Sequence, residues 1–273
     1  MDNYKLGIIG CGNMGEAILK GVLDCNFLRP EEIIIYDKDN YRERYIKNNY
    51  KVYAAKEITE LVKKAMHILL AVKPQDLKVV LEKVKINFNY KVNSIISIIA
   101  GIPSCYIEKM LSSDARVVRI MPNTPALFRK GMAVVSKGRY VKNSDLIFSK
   151  ELIKSVGDYL LIDEKYQNIA TALSGSGPAY FFLFCKYLID AGIKKGLNPE
   201  ISKKLVTETM IGAGITIKKS KGSLDNLIKK VASPGGTTEA ALEEFIRGKL
   251  DKIIVKAVES AKKRAYELEK FLD

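Results

Sequence analysis

The chain has 273 residues, 47% apolar and 28% charged, a balance that excludes a disordered chain or a peptide scaffold and suits about two globular domains. Its apolar runs, such as 95–101 and 178–185, fall short of the roughly 18–20 residues of a membrane span, so no membrane partner is expected. The net charge of +14 comes from 45 Lys+Arg against 31 Asp+Glu, scattered without a dense basic block, so no nucleic acid is expected and the positive field favours anionic small molecules.

From about Lys5 to residue 163 the chain alternates apolar, β-like runs with helical stretches. Strands are predicted at 6–10, 32–37, 67–73, 94–100 and 116–121, with 132–136 and 159–162 as possible extensions. Runs so rich in Ile, Val and Leu fit strands covered on both faces, which makes the fold class α/β with a doubly wound parallel sheet. No leader peptide is expected before the first strand.

Gly10-Cys11-Gly12-Asn13-Met14-Gly15 follows the first strand and opens a helical pattern. Here Gly10 permits the tight turn, Gly12 the approach of a pyrophosphate and Gly15 close helix–strand packing. The helix start offers N–H groups and positive dipole charge to phosphates. Asp37 stands at the spacing expected for a ribose contact, which favours NAD; Lys38 could instead neutralise a 2′-phosphate, so NADPH and NADH both stay open. Ala71-Val72-Lys73-Pro74-Gln75 and Ala100-Gly101-Ile102-Pro103 end strands on the same side and are expected to line the nicotinamide half, mainly with backbone.

Residues 164–273 read as helical. Pro178 suits a helix start, and the run to Gly192, apolar on nearly every side, reads as a buried helix. Asn198-Pro199-Glu200 reads as a cap, a first-turn Pro and a first-turn acid. The helix it opens contains Gly212 and Gly214, which weaken it unless another helix packs closely there. Residues 171–178 and 231–238 are small polar loops at helix entrances, suited to an anion such as a carboxylate. Leu250, Ile253, Ile254, Ala257, Val258, Ala261, Ala265, Leu268 and Leu272 form one stripe of a final packed helix.

Acid–base candidates are scarce. The single histidine, His67, falls in a predicted strand and reads as a packing residue. The four cysteines, Cys11, Cys25, Cys105 and Cys185, show neither metal-ligand spacing nor a disulfide framework, so no metal is expected and the setting reads as reducing and cytoplasmic. A ketone reductase must protonate an alkoxide. A protonated imine makes no such demand, since hydride addition to its carbon leaves a neutral amine.

The motifs at 8–15, 71–75, 119–125, 173–180 and 233–238 resemble, in order, those of the pyrroline-5-carboxylate reductases. The resemblance implies a Rossmann-like domain over 1–163 and a helical, substrate-binding and dimerisation domain over 164–273. It implies NAD(P)H-dependent reduction of 1-pyrroline-5-carboxylate to L-proline by a homodimer or a larger oligomer built from dimers. Ile9, Gly10, Cys11, Gly12, Asn13, Met14, Val72, Lys73 and Pro74 would hold the cofactor. Ser233, Gly236, Thr237 and Thr238 would hold the substrate carboxylate, with Thr171 near the ring nitrogen. Ile58, Met66 and Lys229-Lys230 depart from the family pattern. Two other readings are a β-hydroxyacid dehydrogenase, for which Lys186 is a poorly spaced catalytic candidate, and a non-catalytic dinucleotide sensor.

Overall fold

The computed structural model describes residues 4–270, all but the side chain of Lys270. The strands are β1 (Tyr4–Ile9), β2 (Ile33–Tyr36), β3 (Tyr53–Ala54), β4 (Ala65–Leu70), β5 (Ser94–Ser97), β6 (Val117–Met121), β7 (Gly131–Lys137) and β8 (Gly157–Leu161). Between them lie α1 (Asn13–Asp24), α2 (Asn40–Tyr50), α3 (Ile58–Lys64), α4 (Leu77–Asn87), α5 (Ser104–Leu111) and α6 (Asn143–Lys154).

The strands form one sheet in the order β3-β2-β1-β4-β5-β6-β7-β8. Strand alternation sends side chains to two cores. Ile33 and Ile35 join Leu6 and Ile8 against Ile18, Leu19 and Val22 of α1 and Leu152 and Ile153 of α6. Ile34, Ile68 and Ile95 pack on the other face with Leu61 of α3, Leu81 of α4 and Ile107 of α5. Each such fully buried Ile or Leu contributes roughly 1.5–3 kcal/mol.

The all-parallel expectation fails at one pair, because β6 and β7 run antiparallel. Only residues 122–130 join them, and a parallel return needs a crossover of about a dozen residues or more. The strand β3, two residues long, was too short to leave a sequence pattern.

Beyond β8 the chain is helical: α7 (Gln167–Ala170), a π-helical turn (Thr171–Gly175), α8 (Gly177–Lys194), α9 (Pro199–Lys219), α10 (Leu224–Val231), α11 (Thr237–Arg247) and α12 (Leu250–Lys270). Residues 171–175, expected as a loop, are therefore helical with one residue too many per turn. Asn198 caps α9 as expected, its side chain accepting from Glu200 N. By internal contacts the chain forms two compact units. One runs to Ser176 and takes in the end of α12 from Ala261; the other is Gly177–Ser260.

The burial expected of α8 is not met within the chain: Phe182 is 66% and Tyr187 60% exposed. Within the second unit α8 packs chiefly on α9. Ser202 Oγ of α9 donates to Ile189 O at 2.9 Å, and the Phe184 and Phe245 rings lie 6.0 Å apart. Among the described residues no helix packs on Gly212 or Gly214, where an added Cβ would meet nothing within 4 Å. The α12 stripe is likewise left largely unburied: Ile253, Ile254 and Ala257 are exposed and Leu250, Val258, Ala261 and Leu268 half-buried. Ala265 alone of it is buried, Leu268 packs against Gly101, and Leu272 lies outside the described residues. The physical reason is shared: apolar helix faces outnumber the surfaces this chain offers them. Among the described residues no helix is long and apolar enough to cross a membrane.

Candidate active site

The sheet order reverses between β1 and β4, and in doubly wound sheets the ligand crevice opens at the carboxyl ends of the strands at such a switch point. The fingerprint turn leaves β1 there. Gly10 has φ +96°, and a Cβ on it would stand 2.6 Å from Ala71 O. Its N–H donates to Tyr36 O of β2 at 2.9 Å. A Cβ on Gly15 would collide with Gly10 O, whereas one on Gly12 would meet nothing within 4 Å. The turn is thus closed on its protein side and open on its outer side. No side chain caps the start of α1, which leaves its first N–H groups free for an anion.

A polar network that the sequence reading missed braces this turn. Cys11 N donates to Asp37 Oδ2 at 2.6 Å, and Asp39 N donates to Asp37 Oδ1 at 2.9 Å. Arg42 Nε donates to Cys11 O at 2.6 Å, its guanidinium pairs with Glu16, and Tyr50 Oη donates to Glu16 Oε1 at 2.8 Å. Arg42, Glu16 and Tyr50 carry no motif, and only the fold brings them together. Burial, reinforced by the Asp37 charge, pushes the Cys11 thiol far up, so it is a packing group and not a nucleophile. Lys38 Nζ lies 2.9 Å from both Asp76 oxygens, and this contact raises its ammonium above the usual lysine range.

The other expected residues fall on both sides of the chain's division. Ile9 is buried at the end of β1, Asn13 is exposed, Met14 is half-buried, and Val72, Lys73 and Pro74 form the turn after β4. Together with Asp37 and Lys38 they gather at the switch point. Of the departures, Ile58 is buried at the start of α3, Met66 is half-exposed on β4, and Lys229 and Lys230 end α10. In the second unit Ser233, Gly236, Thr237 and Thr238 form the turn into α11. Gly236 N donates to Ser233 O at 2.9 Å, Gly235 has φ +71°, and no side chain caps the helix start at Thr237.

Thr171 opens the π turn of the first unit. Its hydroxyl donates to Gln167 O at 2.8 Å, so its oxygen faces any ligand as an acceptor. Near it Gln167 Oε1 and Asn168 Oδ1 are buried without a partner.

His67 fits its expected packing role. It stacks on Phe148 with ring centroids 3.8 Å apart, and burial holds its pKa down at about 4. Lys186 pairs with Asp190 at 2.6 Å, one helical turn along. It stands at the surface, engaged by that neighbouring carboxylate.

A fingerprint turn at the switch point of a doubly wound sheet, followed by a helical half, defines a dinucleotide-dependent oxidoreductase of the two-domain kind. A family model described as pyrroline-5-carboxylate reductase dimerisation matches residues 164–268, and one described as NADP oxidoreductase coenzyme F420-dependent matches 5–101. Pyrroline-5-carboxylate reductase 2 of Bacillus subtilis is 33% identical over 266 residues, 97% of this chain and 95% of the relative. The Arabidopsis thaliana pyrroline-5-carboxylate reductase is 34% identical over 98% of this chain and 96% of its own. The crystal structure of the Plasmodium falciparum pyrroline carboxylate reductase with NADP bound superposes with a TM-score of 0.88 at 33% identity, covering 98% of this chain and 99% of that one. That of Coxiella burnetii gives 0.90 at 32% identity, over 97% and 98%. The chain belongs to the pyrroline-5-carboxylate reductase family.

Proposed function

We infer that the protein reduces 1-pyrroline-5-carboxylate to L-proline with NADPH. The observation that carries this reading is the full-length likeness to reductases of that name, joined to a fingerprint turn whose open face fits a dinucleotide. Both Asp37 oxygens accept backbone N–H groups, which turns that charge toward the glycine turn. Lys38, paired with Asp76 at the surface, would exchange that carboxylate for a 2′-phosphate. The NADP-bound relative accords with this choice over NADH.

Bound NADPH supplies the hydride. The free N–H groups of α1 take the pyrophosphate beside Gly12, and the backbone of Val72, Lys73 and Pro74 lines the nicotinamide half. Ser233 and the uncapped amides of Thr237 and Thr238 take the substrate carboxylate, while Gly236, its N–H given to Ser233 O, shapes the turn that presents them. Thr171 Oγ1, its proton engaged by Gln167 O, accepts from the N–H of the protonated imine. This contact orients the C=N⁺ carbon, and no side chain need transfer a proton, because the amine leaves the step neutral. A homodimer is the working form, its second copy covering the apolar faces of the dimerisation segment. The cytoplasm is its setting, where free thiols such as Cys11, Cys25, Cys105 and Cys185 are the ordinary state.

The test is to mix purified protein with 1-pyrroline-5-carboxylate and either NADPH or NADH. Loss of reduced-nicotinamide absorbance and appearance of proline are expected, faster with NADPH. No oxidation with either cofactor across a range of pH would refute the reading.

A further inference from the structure

We propose that Asn123 is a positioning residue that holds the π turn in register and thereby sets the Thr171 hydroxyl. The proposal rests on the role of Thr171 given above.

Asn123, in the turn after β6, is 8% exposed. Its Nδ2 donates to Ser174 O at 3.2 Å and to Ser174 Oγ at 3.3 Å. Its Oδ1 accepts from Met132 N of β7 at 2.9 Å, and Ser174 Oγ donates to Met132 O at 3.1 Å. One amide, two residues beyond the end of β6, thus ties the π turn to β7. The short helix that leads into the turn is tied as well: Gln167 Nε2, at the start of α7, donates to Val134 O at 3.3 Å and to Ser136 Oγ at 2.9 Å. Between these ties Ser176 N donates to Thr171 O at 2.8 Å, the wider spacing of a π turn.

A π turn is uncommon and persists where its surroundings hold it. Reversion to α spacing would move the following side chains by one residue step, about 100° around the axis. The packing at Gly175 would not accept a side chain rotated into its place. A Cβ on Gly175 would lie 2.8 Å from Met121 Cε and 3.3 Å from Thr171 Cγ2. The Thr171 methyl thus lies beside the bare face of Gly175, which has no room for a side chain, while its hydroxyl is held by Gln167 O. Loosening Ser174 releases Gly175 and, with it, the side chain whose oxygen faces the imine.

The test compares Asn123→Ala, Asn123→Asp, Thr171→Val and the Asn123→Ala/Thr171→Val pair in the full-length protein. Asn123→Asp keeps the acceptor for Met132 N but loses the donors to Ser174, so it should match Asn123→Ala. Both should lower kcat on the order of 10²-fold, the penalty of misplacement near the reacting atoms. The KM for the pyrroline and the Kd of NADPH, read by nicotinamide fluorescence, should stay within about threefold. The paired variant should be no slower than the slower single variant, since both act through one hydroxyl. Losses that multiply in the pair, or an Asn123→Asp enzyme with wild-type kcat, would overturn the proposal. Amide hydrogen exchange decides it even if the wild-type protein turns over no pyrroline, a result that would refute the functional reading by itself. Residues 171–176 should exchange at least about tenfold faster in Asn123→Asp, and unchanged exchange there would sink the positioning role.

Discussion

At the scale of single residues, His67 shows how burial fixes a charge state. Its ring is stacked on Phe148, with Nδ1 2.6 Å from Ser94 Oγ. Burial is the main reason its pKa falls from 6.5 to about 4; the Arg116 charge lowers it further, and the Asp145 charge opposes both. A histidine with a depressed folded pKa binds fewer protons folded than unfolded between those values. Stability is therefore full above about pH 6.5 and falls as the pH drops toward 4. Discounted for a ring that is partly exposed, the loss is on the order of 2 kcal/mol. Urea unfolding at pH 7 and pH 4.5 should show a smaller decline for His67→Gln than for the wild type; equal declines would show that this ring is not the titrating group. The sequence located His67 in a strand, but its partner Phe148 lies on α6, a long-range contact that no local pattern records. Asp37 is a similar case: spacing placed it, while Cys11 N and Arg42 came with the fold.

At the scale of elements, strand positions were legible because parallel strands covered on both faces are written as unbroken apolar runs. Their ends were not. The run expected at 67–73 continues past Leu70, where β4 stops, because Ala71 and Val72 wall the crevice with the same residue types that fill the core. Strand direction at β7 depended on the length of a link, and the π turn depended on Asn123 and Gln167 from outside it. The fingerprint itself was legible in full, and its glycines separate two jobs that one motif conceals. Gly12 has φ −65° and open space where a Cβ would stand, whereas Gly15 abuts Gly10 O. Gly12→Ala should leave the melting temperature unchanged yet weaken NADPH binding, since only a ligand comes near that position. Gly15→Ala should cost about 1–3 kcal/mol of stability as well. Thermal unfolding beside NADPH titration checks the pair, and a Gly12→Ala protein that binds normally would place the pyrophosphate elsewhere.

At the scale of the whole molecule, an apolar face is information about a partner as much as about a core. The sequence read α8 as apolar all round and so as buried. The structure leaves it exposed, so that expectation fails within this chain. Phe181, Phe182, Leu183 and Tyr187 on α8 and Ile211 and Ile215 on α9 are all at least half exposed. They fall within the segment matched as a dimerisation domain. A phenylalanine taken from water gains roughly 2–3 kcal/mol, and monomers rarely leave contiguous apolar patches beyond a few hundred Å² uncovered. A second copy offers the same residues in return, as a two-fold interface requires. Charge placed on both helices should therefore separate the copies: Phe182→Glu with Ile215→Glu should sediment as a 30.5 kDa protomer, where the wild type is expected to sediment as a dimer. The first unit should remain folded in that variant, because its two cores draw on none of these side chains, so NADPH binding should survive. A wild-type protein that is monomeric at micromolar concentration would leave those faces in water and defeat the account.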